Sequence, residues 1–231
     1  MKMDMFIGPL VNSGMVIVGT IIGIVFKKYL KESTQDIVLK GLGFVTIYIA
    51  ISSILDSASG INVLISMSVG AFIGETFDLE GRFNQLGDWL QKKFAKGNSQ
   101  FADGFIEASL LFCMGSMGIL GSLESGLMHT HNTLYSKALL DGIASIFFSA
   151  KKGISIAFAG IILFIYQGSL TALSSLLAPI LNDQCMAQIN VVGGIILLSV
   201  AFNLLGIGKF KSMNYVPAIL VSVLLTLLFH I

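Results

Sequence analysis

The sequence predicts an all-α integral membrane protein of about eight transmembrane helices. Three observations carry that expectation: 55% of the 231 residues are hydrophobic, only 12% are charged, and the charges gather between long apolar runs. An ordinary soluble domain carries roughly 25% charged residues. A chain this poor in charge cannot cover its surface with groups that water solvates, so its apolar runs must face lipid.

A helix needs roughly 17 to 25 largely apolar residues to cross ~30 Å of hydrocarbon. The first such run, Phe6 to Phe26, is long, lacks a small-x-small exit and is followed by lysines, so it reads as a retained span rather than a cleaved leader. The second is Ile37 to Leu55, and the third, Ile61 to Thr76, is short enough to be tilted or partly buried in protein. Next comes Phe77 to Lys96, where Phe83, Leu86, Leu90 and Phe94 fall at helical spacing opposite Arg82, Gln85, Lys92, Lys93 and Lys96. With Trp89 among them, they predict an amphipathic helix lying on the membrane surface. The remaining spans are Phe105 to Leu123, Thr133 to Ala150, Ile154 to Pro179, Ala187 to Ile207 and the short Tyr215 to Ile231. The whole chain, 1–231, is therefore expected to be one transmembrane domain, with three spans in 1–76, the surface helix in 77–96, two spans in 105–150 and three in 154–231.

Lysine and arginine positions test this count. Of the 14 such residues, Lys27, Lys28, Lys31, Lys40, Arg82, Lys92, Lys93, Lys96, Lys151, Lys152, Lys209 and Lys211 all fall on one side if there are eight spans, leaving Lys2 and Lys137 for the other. The positive-inside rule then predicts a multi-pass protein of the prokaryotic cell membrane with both termini extracytoplasmic.

An internal repeat is also legible. GLGFVTIYIAISSILDSASGINVLISMSVGAFIGE, from Gly41, and GGIILLSVAFNLLGIGKFKSMNYVPAILVSVLLTLLF, from Gly193, each read as a glycine-started span, a link and a second span. The spans before them carry polar breaks, Asn12-Ser13-Gly14 and Gln167-Gly168-Ser169. Spans one to three would thus match spans six to eight as an inverted repeat, with the fourth and fifth between.

Candidate chemistry is sparse. Glu107 and Asp141 lie in or near spans, where an ionisable side chain usually faces a cavity or a partner. They either form a central ion or proton site, or sit near helix ends, solvated or paired with Lys137 or Lys152. Gly115, Gly118 and Gly121, with Ser116 and Ser122, suggest an unwound stretch whose backbone could coordinate a solute or ion, although small residues also let helices pack closely. Close packing is the expectation for Gly19 and Gly23 and for Gly70 and Gly74. The polar breaks offer Asn12, Ser13, Gln167 and Ser169, with a helix cap the competing role for Asn12. Asn190, Asn203 and Glu75 are expected as partners between helices.

His129 and His131 beside Glu124 make too weak a spacing to name a metal, and a solvated loop is the expectation. Cys113 and Cys185 form no CxxC or Cys/His cluster, so no cofactor or disulfide framework is expected. A net charge of +1 gives no field to attract nucleic acid. No GxxxxGK, HExxH or GxSxG motif is present, so an enzyme is not expected.

Taken together, GPLVNSGMVIVGTIIGIVFKKYL, LKGLGFVTIYIAIS, GETFDLEGRFNQLGDWLQKKF, GFIEASLLFCMGSMGILGSLESG, SKALLDGIAS, YQGSLTALSSLL, VGGIILLSVAFNLLGI and NYVPAIL resemble the DUF554 family of bacterial and archaeal membrane proteins along essentially the whole chain. The resemblance implies a multi-pass, transporter-like protein. It also marks Glu107 and Ser109 in FIEAS, Asp141 in LLDG and Gln167 in YQGS as family-typical, without assigning them roles. The partners expected are the lipid bilayer, a small solute or ion and other copies of the chain in a homo-oligomer. Three functions remain open: a secondary transporter or ion-coupled permease, an oligomeric channel lined by small residues, and a non-transporting sensor or assembly factor docking through the surface helix.

Overall fold

In a computed structural model, which describes residues 4–56, 58–94 and 100–229, every regular element is helical. After a short 3₁₀ turn, Asp4–Phe6, come α1 (Ile7–Lys27), α2 (Glu32–Ile54), α3 (Gly60–Thr76), α4 (Leu79–Phe94), α5 (Phe101–Cys113), α6 (Ser116–Met128), α7 (Asn132–Lys152), α8 (Ser155–Ala172), α9 (Ser174–Leu177), α10 (Asp183–Leu205) and, after a 3₁₀ turn at Ser212–Tyr215, α11 (Pro217–Phe229). Five of these helices are long and apolar enough to cross a membrane, and seven spans result if the bent pairs α3–α4 and α5–α6 each count as one. Lys96, Lys2 and Ile231 lie outside the described residues.

Polar and apolar residues are distributed as lipid demands. Asn12, Thr20, Asn62, Ser66, Ser122, Ser145 and Gln167 are buried, whereas Phe44, Tyr48, Leu64, Phe72, Leu139 and Leu220 are exposed. In water this arrangement would leave a large apolar surface unsolvated. In hydrocarbon it hides these groups from lipid: Thr20, Ser66, Ser122 and Ser145 bond back within their own helices, and the amides of Asn12, Asn62 and Gln167 bond between helices.

Small residues decide which helices meet. α1 runs parallel to α7, with the Gly19 and Gly23 faces pressed on the Gly142 and Ile146 carbonyls, so that an added Cβ at either glycine would overlap backbone. α2 and α10 are antiparallel: a Cβ at Gly43 would lie 2.9 Å from Leu205 Cγ, and one at Gly194 would lie 3.0 Å from Ile54 Cγ1. α3 and α11 are also antiparallel, with Gly70 against Ala218, Gly74 against Asn214, and Asn62 Nδ2 donating to Thr226 Oγ1 at 2.9 Å. The close-packing expectation for these glycines therefore holds.

α4 departs from a simple surface helix. Leu90 is buried, Phe83 stacks on Phe105 of α5 with ring centroids 6.0 Å apart, and Phe94 meets Phe158 of α8 at 5.2 Å. Its apolar face is thus partly covered by protein, while Leu86, Trp89 and Phe94 remain exposed and Lys93 lies over the Trp89 ring at 5.1 Å. The lysine-bearing helix ends gather together. Lys151 at the end of α7 pairs with Asp36 of α2 at 2.8 Å, and Lys211 bonds Glu75 at the end of α3 at 2.6 Å, with Asn214 also donating to Glu75 at 2.6 Å.

Candidate functional site

The fourth predicted span is two half-helices. α5 ends at Cys113 and α6 begins at Ser116, the two inclined by 60°, with Gly115 between them at φ +100°. Only glycine adopts that conformation without strain. Gly193 of α10 packs beside the break: a Cβ there would meet the Gly115 nitrogen at ordinary contact distance, 3.7 Å. Gly121 serves packing, its face lying against Leu134 of α7. The Ser116 side chain lies outside the described residues.

Around the break, three other helices contribute buried polar groups. Asn12 of α1 and Gln167 of α8, both fully buried, are joined by a 3.2 Å bond from Asn12 Nδ2 to Gln167 Oε1. The Asn12 amide also lies near the Asp141 carboxylate of α7. Asp141 in turn accepts both its close contacts from Lys137 Nζ, at 2.7 and 2.9 Å. Lys137 and Gln167 flank Gly118 in the first turn of α6, where an added Cβ would lie 3.4 Å from Lys137 Cε and 3.6 Å from Gln167 Nε2. Asn12 Oδ1 and Gln167 Nε2 have no hydrogen-bond partner among the described residues. Buried polar atoms are rarely left so, because each loses its solvation without return.

Glu107 belongs to a different place. Its carboxylate lies 3.1 Å from Lys152 Nζ, with both side chains buried, at the lysine-rich end of the molecule. That pair borders a cavity of ≈ 640 Å³ whose lining includes Asp78, Glu80, Asp103, Lys209 and Lys211. Glu80 Oε2 accepts a 2.9 Å bond from the Met213 N–H, and burial pushes its carboxyl above the usual carboxylate range.

The expectation that Glu107 and Asp141 form one site is therefore not what the structure has. Asp141 and Lys152 are separated along α7 by about 16 Å of helical rise, and each carboxylate keeps its own lysine. The sequence posed central site and lysine pairing as alternatives. The structure combines burial with pairing. Lys137, counted from sequence with the outer-side lysines, lies inside α7 and is buried.

Asn12 is no helix cap, sitting within α1 and bonded across to α8. Ser13 donates at 2.8 Å to the Gly160 carbonyl and fastens the same helix pair. Ser109 is buried on α5, and its Oγ has no partner among the described residues. Ser169 does not join the group: it is exposed and bonds back to the Ile165 carbonyl at 2.6 Å, because two residues past Gln167 a helix has turned to its opposite face. Asn190 bonds Asp56 at 2.8 Å, whereas Asn203 closes the turn after its own helix through Phe210, at 2.8 and 2.9 Å. His131 Nδ1 lies 2.7 Å from Ser125 Oγ, and no cluster of three or more His, Cys, Asp or Glu that could hold a metal occurs among the described residues.

Sequence reasoning passed over Lys137 as a central residue and Gly118 as a meeting point. The four-residue spacing from Lys137 to Asp141 was the available signal for the first. The second depends on three helices converging, which spacing within one helix cannot disclose.

Comparison with known proteins finds relatives along nearly the whole chain, one of them named as a membrane protein. Residues 7–227 match the family described as "Protein of unknown function (DUF554)". The chain is 37% identical over 227 residues, 96% of each chain, to the Bacillus subtilis (strain 168) "Uncharacterized membrane protein YdfK". It is 27% identical over 223 residues, 94% of this chain and 95% of the other, to the Escherichia coli (strain K12) "Uncharacterized protein YqgA". No solved structure matches it.

Proposed function

The chain belongs to the DUF554 family, and for this multi-pass membrane protein we propose the function of a secondary transporter or ion-coupled permease, moving a small solute or ion without transforming it. The observation that carries the reading is the meeting of a broken helix at Gly115 with the buried Asn12–Gln167 amide pair and the Lys137–Asp141 ion pair. Non-helical backbone within a membrane is tolerated where protein or an aqueous cavity covers it, and transporters use such breaks to present free N–H and C=O groups to solutes.

We extend the reading to eight spans and an inverted repeat. The eighth span is α7, whose polar residues are matched by α1 and α5. Helix directions support the count, α1 running parallel to α7 while α2–α10 and α3–α11 run antiparallel. The repeat draws support from reciprocal contacts: Gly43 meets Leu205 and Gly194 meets Ile54, related by the same shift of 151 residues from 43 to 194 and from 54 to 205. The mates α1–α8, α2–α10 and α3–α11 each pack directly together, as elements across a local two-fold axis do. Gathering of the lysine-bearing ends supports a cell-membrane protein with both termini outside.

The cavity beside Glu107–Lys152 serves, in this reading, as the inner approach to the central group. Purified protein in liposomes is expected to show saturable solute flux driven by an ion gradient, abolished in Asp141→Asn and slowed in Glu107→Gln. Unitary current steps in place of saturable flux would make it a channel. Flux unchanged in both variants would remove the carboxylates from the mechanism.

A further inference from the structure

The orphaned amide of Gln167 discloses what kind of solute the central group would hold. Asn12 Nδ2 donates to Gln167 Oε1, and with the Asp141 carboxylate also beside that amide the reversed orientation would set oxygen against oxygen. Gln167 must then present its own oxygen to Asn12 and turn Nε2 away. That N–H₂ group is fully buried, has no acceptor among the described residues, and points at Gly118 in the first turn of α6.

The first turn of a helix carries backbone N–H groups that the helix cannot satisfy, together with the positive end of its dipole, equivalent to roughly half a charge. α6 has 13 residues, and its N-cap, Gly115, makes no side-chain cap. Lys137 closes the other side, its Cε within 3.4 Å of the missing Gly118 Cβ. The first turn of α6 and Gln167 Nε2 therefore meet at the bare face of one glycine, with the Lys137 stem alongside and its Nζ on Asp141.

Charge decides the ligand. The Lys137–Asp141 pair is neutral as a unit, so the seat adds to it only dipoles and one partial helix charge. That suits a single negative charge on a small group, and a doubly charged phosphate or sulfate would remain under-compensated in the membrane interior. We infer that the first turn of α6, with Gln167 Nε2 and Lys137, is the seat of a small monovalent anion, a carboxylate or a halide, which is the solute class of the transporter read above and rests on that reading.

The test is equilibrium binding of radiolabelled acetate to the full chain in nanodiscs at constant ionic strength. Saturable binding is expected, displaced by unlabelled acetate but not by acetamide or methylammonium. Displacement by acetate and not chloride assigns a carboxylate; equal or better displacement by chloride assigns a halide. Gly118→Ala fills the seat at ordinary contact distances, and Gln167→Met removes the donor at similar volume. Each is expected to weaken binding about tenfold or more, the effect of roughly one charge-assisted hydrogen bond. Gly14→Ala, with nothing within 4 Å of the new Cβ, is expected to change nothing. Absence of saturable anion binding by the unaltered protein, or binding undiminished in both seat variants, would overturn the inference. Anion binding without flux would keep the seat and remove the transporter reading, whereas cation flux without anion binding would keep the transporter and remove the seat.

Discussion

Asn12 and Gln167, 155 residues apart, share a 3.2 Å hydrogen bond at the buried contact of α1 with α8. Replacing Asn12 leaves the buried Gln167 oxygen without its donor and takes an amide away from beside Asp141. Asn12→Leu is expected to cost about 1–3 kcal/mol. Combining it with Gln167→Leu should cost less than the two single changes added, since the second replacement removes a group the first left unsatisfied. Unfolding of the four proteins in detergent would measure the coupling, and strict additivity would show that the bond contributes nothing.

Glycines that admit a neighbouring backbone are expected to behave unlike glycines that face open space. A Cβ at Gly19 or Gly23 would overlap a carbonyl of α7, which a flexible side chain cannot relieve by moving. Each alanine substitution there should destabilise by about 1–3 kcal/mol, the usual scale of overpacking. Gly14→Ala and Gly41→Ala meet nothing within 4 Å and should be neutral or stabilising by up to ~1 kcal/mol. Thermal unfolding midpoints of the four variants would separate the classes.

The Glu107–Lys152 pair is expected to matter more through its burial than through its attraction. Both residues are less than a tenth exposed. Lys152→Met strips Glu107 of its cation and should destabilise by about 3–5 kcal/mol, whereas Lys152→Met combined with Glu107→Leu should recover most of that loss. Recovery of stability without recovery of flux would mark the pair as functional. Recovery of both would mark it as structural.

At the mouth of the same cavity, Glu80 carries a pH signature. Its folded-state carboxyl is held above the usual range by burial, so the folded protein keeps a proton that the unfolded chain releases. The associated stability is full below the unfolded value and is lost as pH rises through the folded one. Glu80→Gln, which can still accept from the Met213 N–H, removes this loss. Its unfolding midpoint should therefore rise relative to the unaltered protein as pH climbs from the ordinary carboxylate range through the higher folded value. A constant difference across that range would show that Glu80 does not titrate differently in the fold.

Much of the framework was legible because lipid imposes long apolar runs, and because glycine at three- and four-residue spacing announces close helices, as at Gly19 and Gly70. The break at Gly115 was legible for the same physical reason, glycine being dense where a helix need not continue. Helix starts were read late: α2 begins at Glu32 and α5 at Phe101, since polar first turns lie outside the apolar run that reveals a span. Ser169 was placed in the site because it neighbours Gln167 in sequence, although a helix turns it away. Lys137 was counted with the outer-side lysines and offered as a carboxylate partner, but its burial with Asp141 depends on the helices packed around the pair, which the sequence does not display. That α4 would fold back on α5 and α8 depended on contacts between distant aromatic rings, which an amphipathic pattern leaves unspecified.

The last prediction concerns sidedness, on which the eight-span reading stands or falls. Five to seven spans follow from length and hydropathy alone, and α7 is the helix in question, its apolar run interrupted by Lys137 and Asp141. Neutralised as a buried pair, these two groups present little net charge to the membrane, so α7 can cross where its composition argues against it. If it does, the Thr130 turn before α7 and the Lys209 turn after α10 lie on opposite sides. In a background of Cys113→Ala and Cys185→Ser, a cysteine at Thr130 should react with an impermeant maleimide in intact cells. A cysteine at Lys209 or Lys31 should react only after the membrane is opened. With α7 left out of the count, Thr130 and Lys31 would keep opposite sides, but Lys209 would move to the side of Thr130. Labelling at Lys209 in intact cells would thus remove the eighth span while leaving the first two intact.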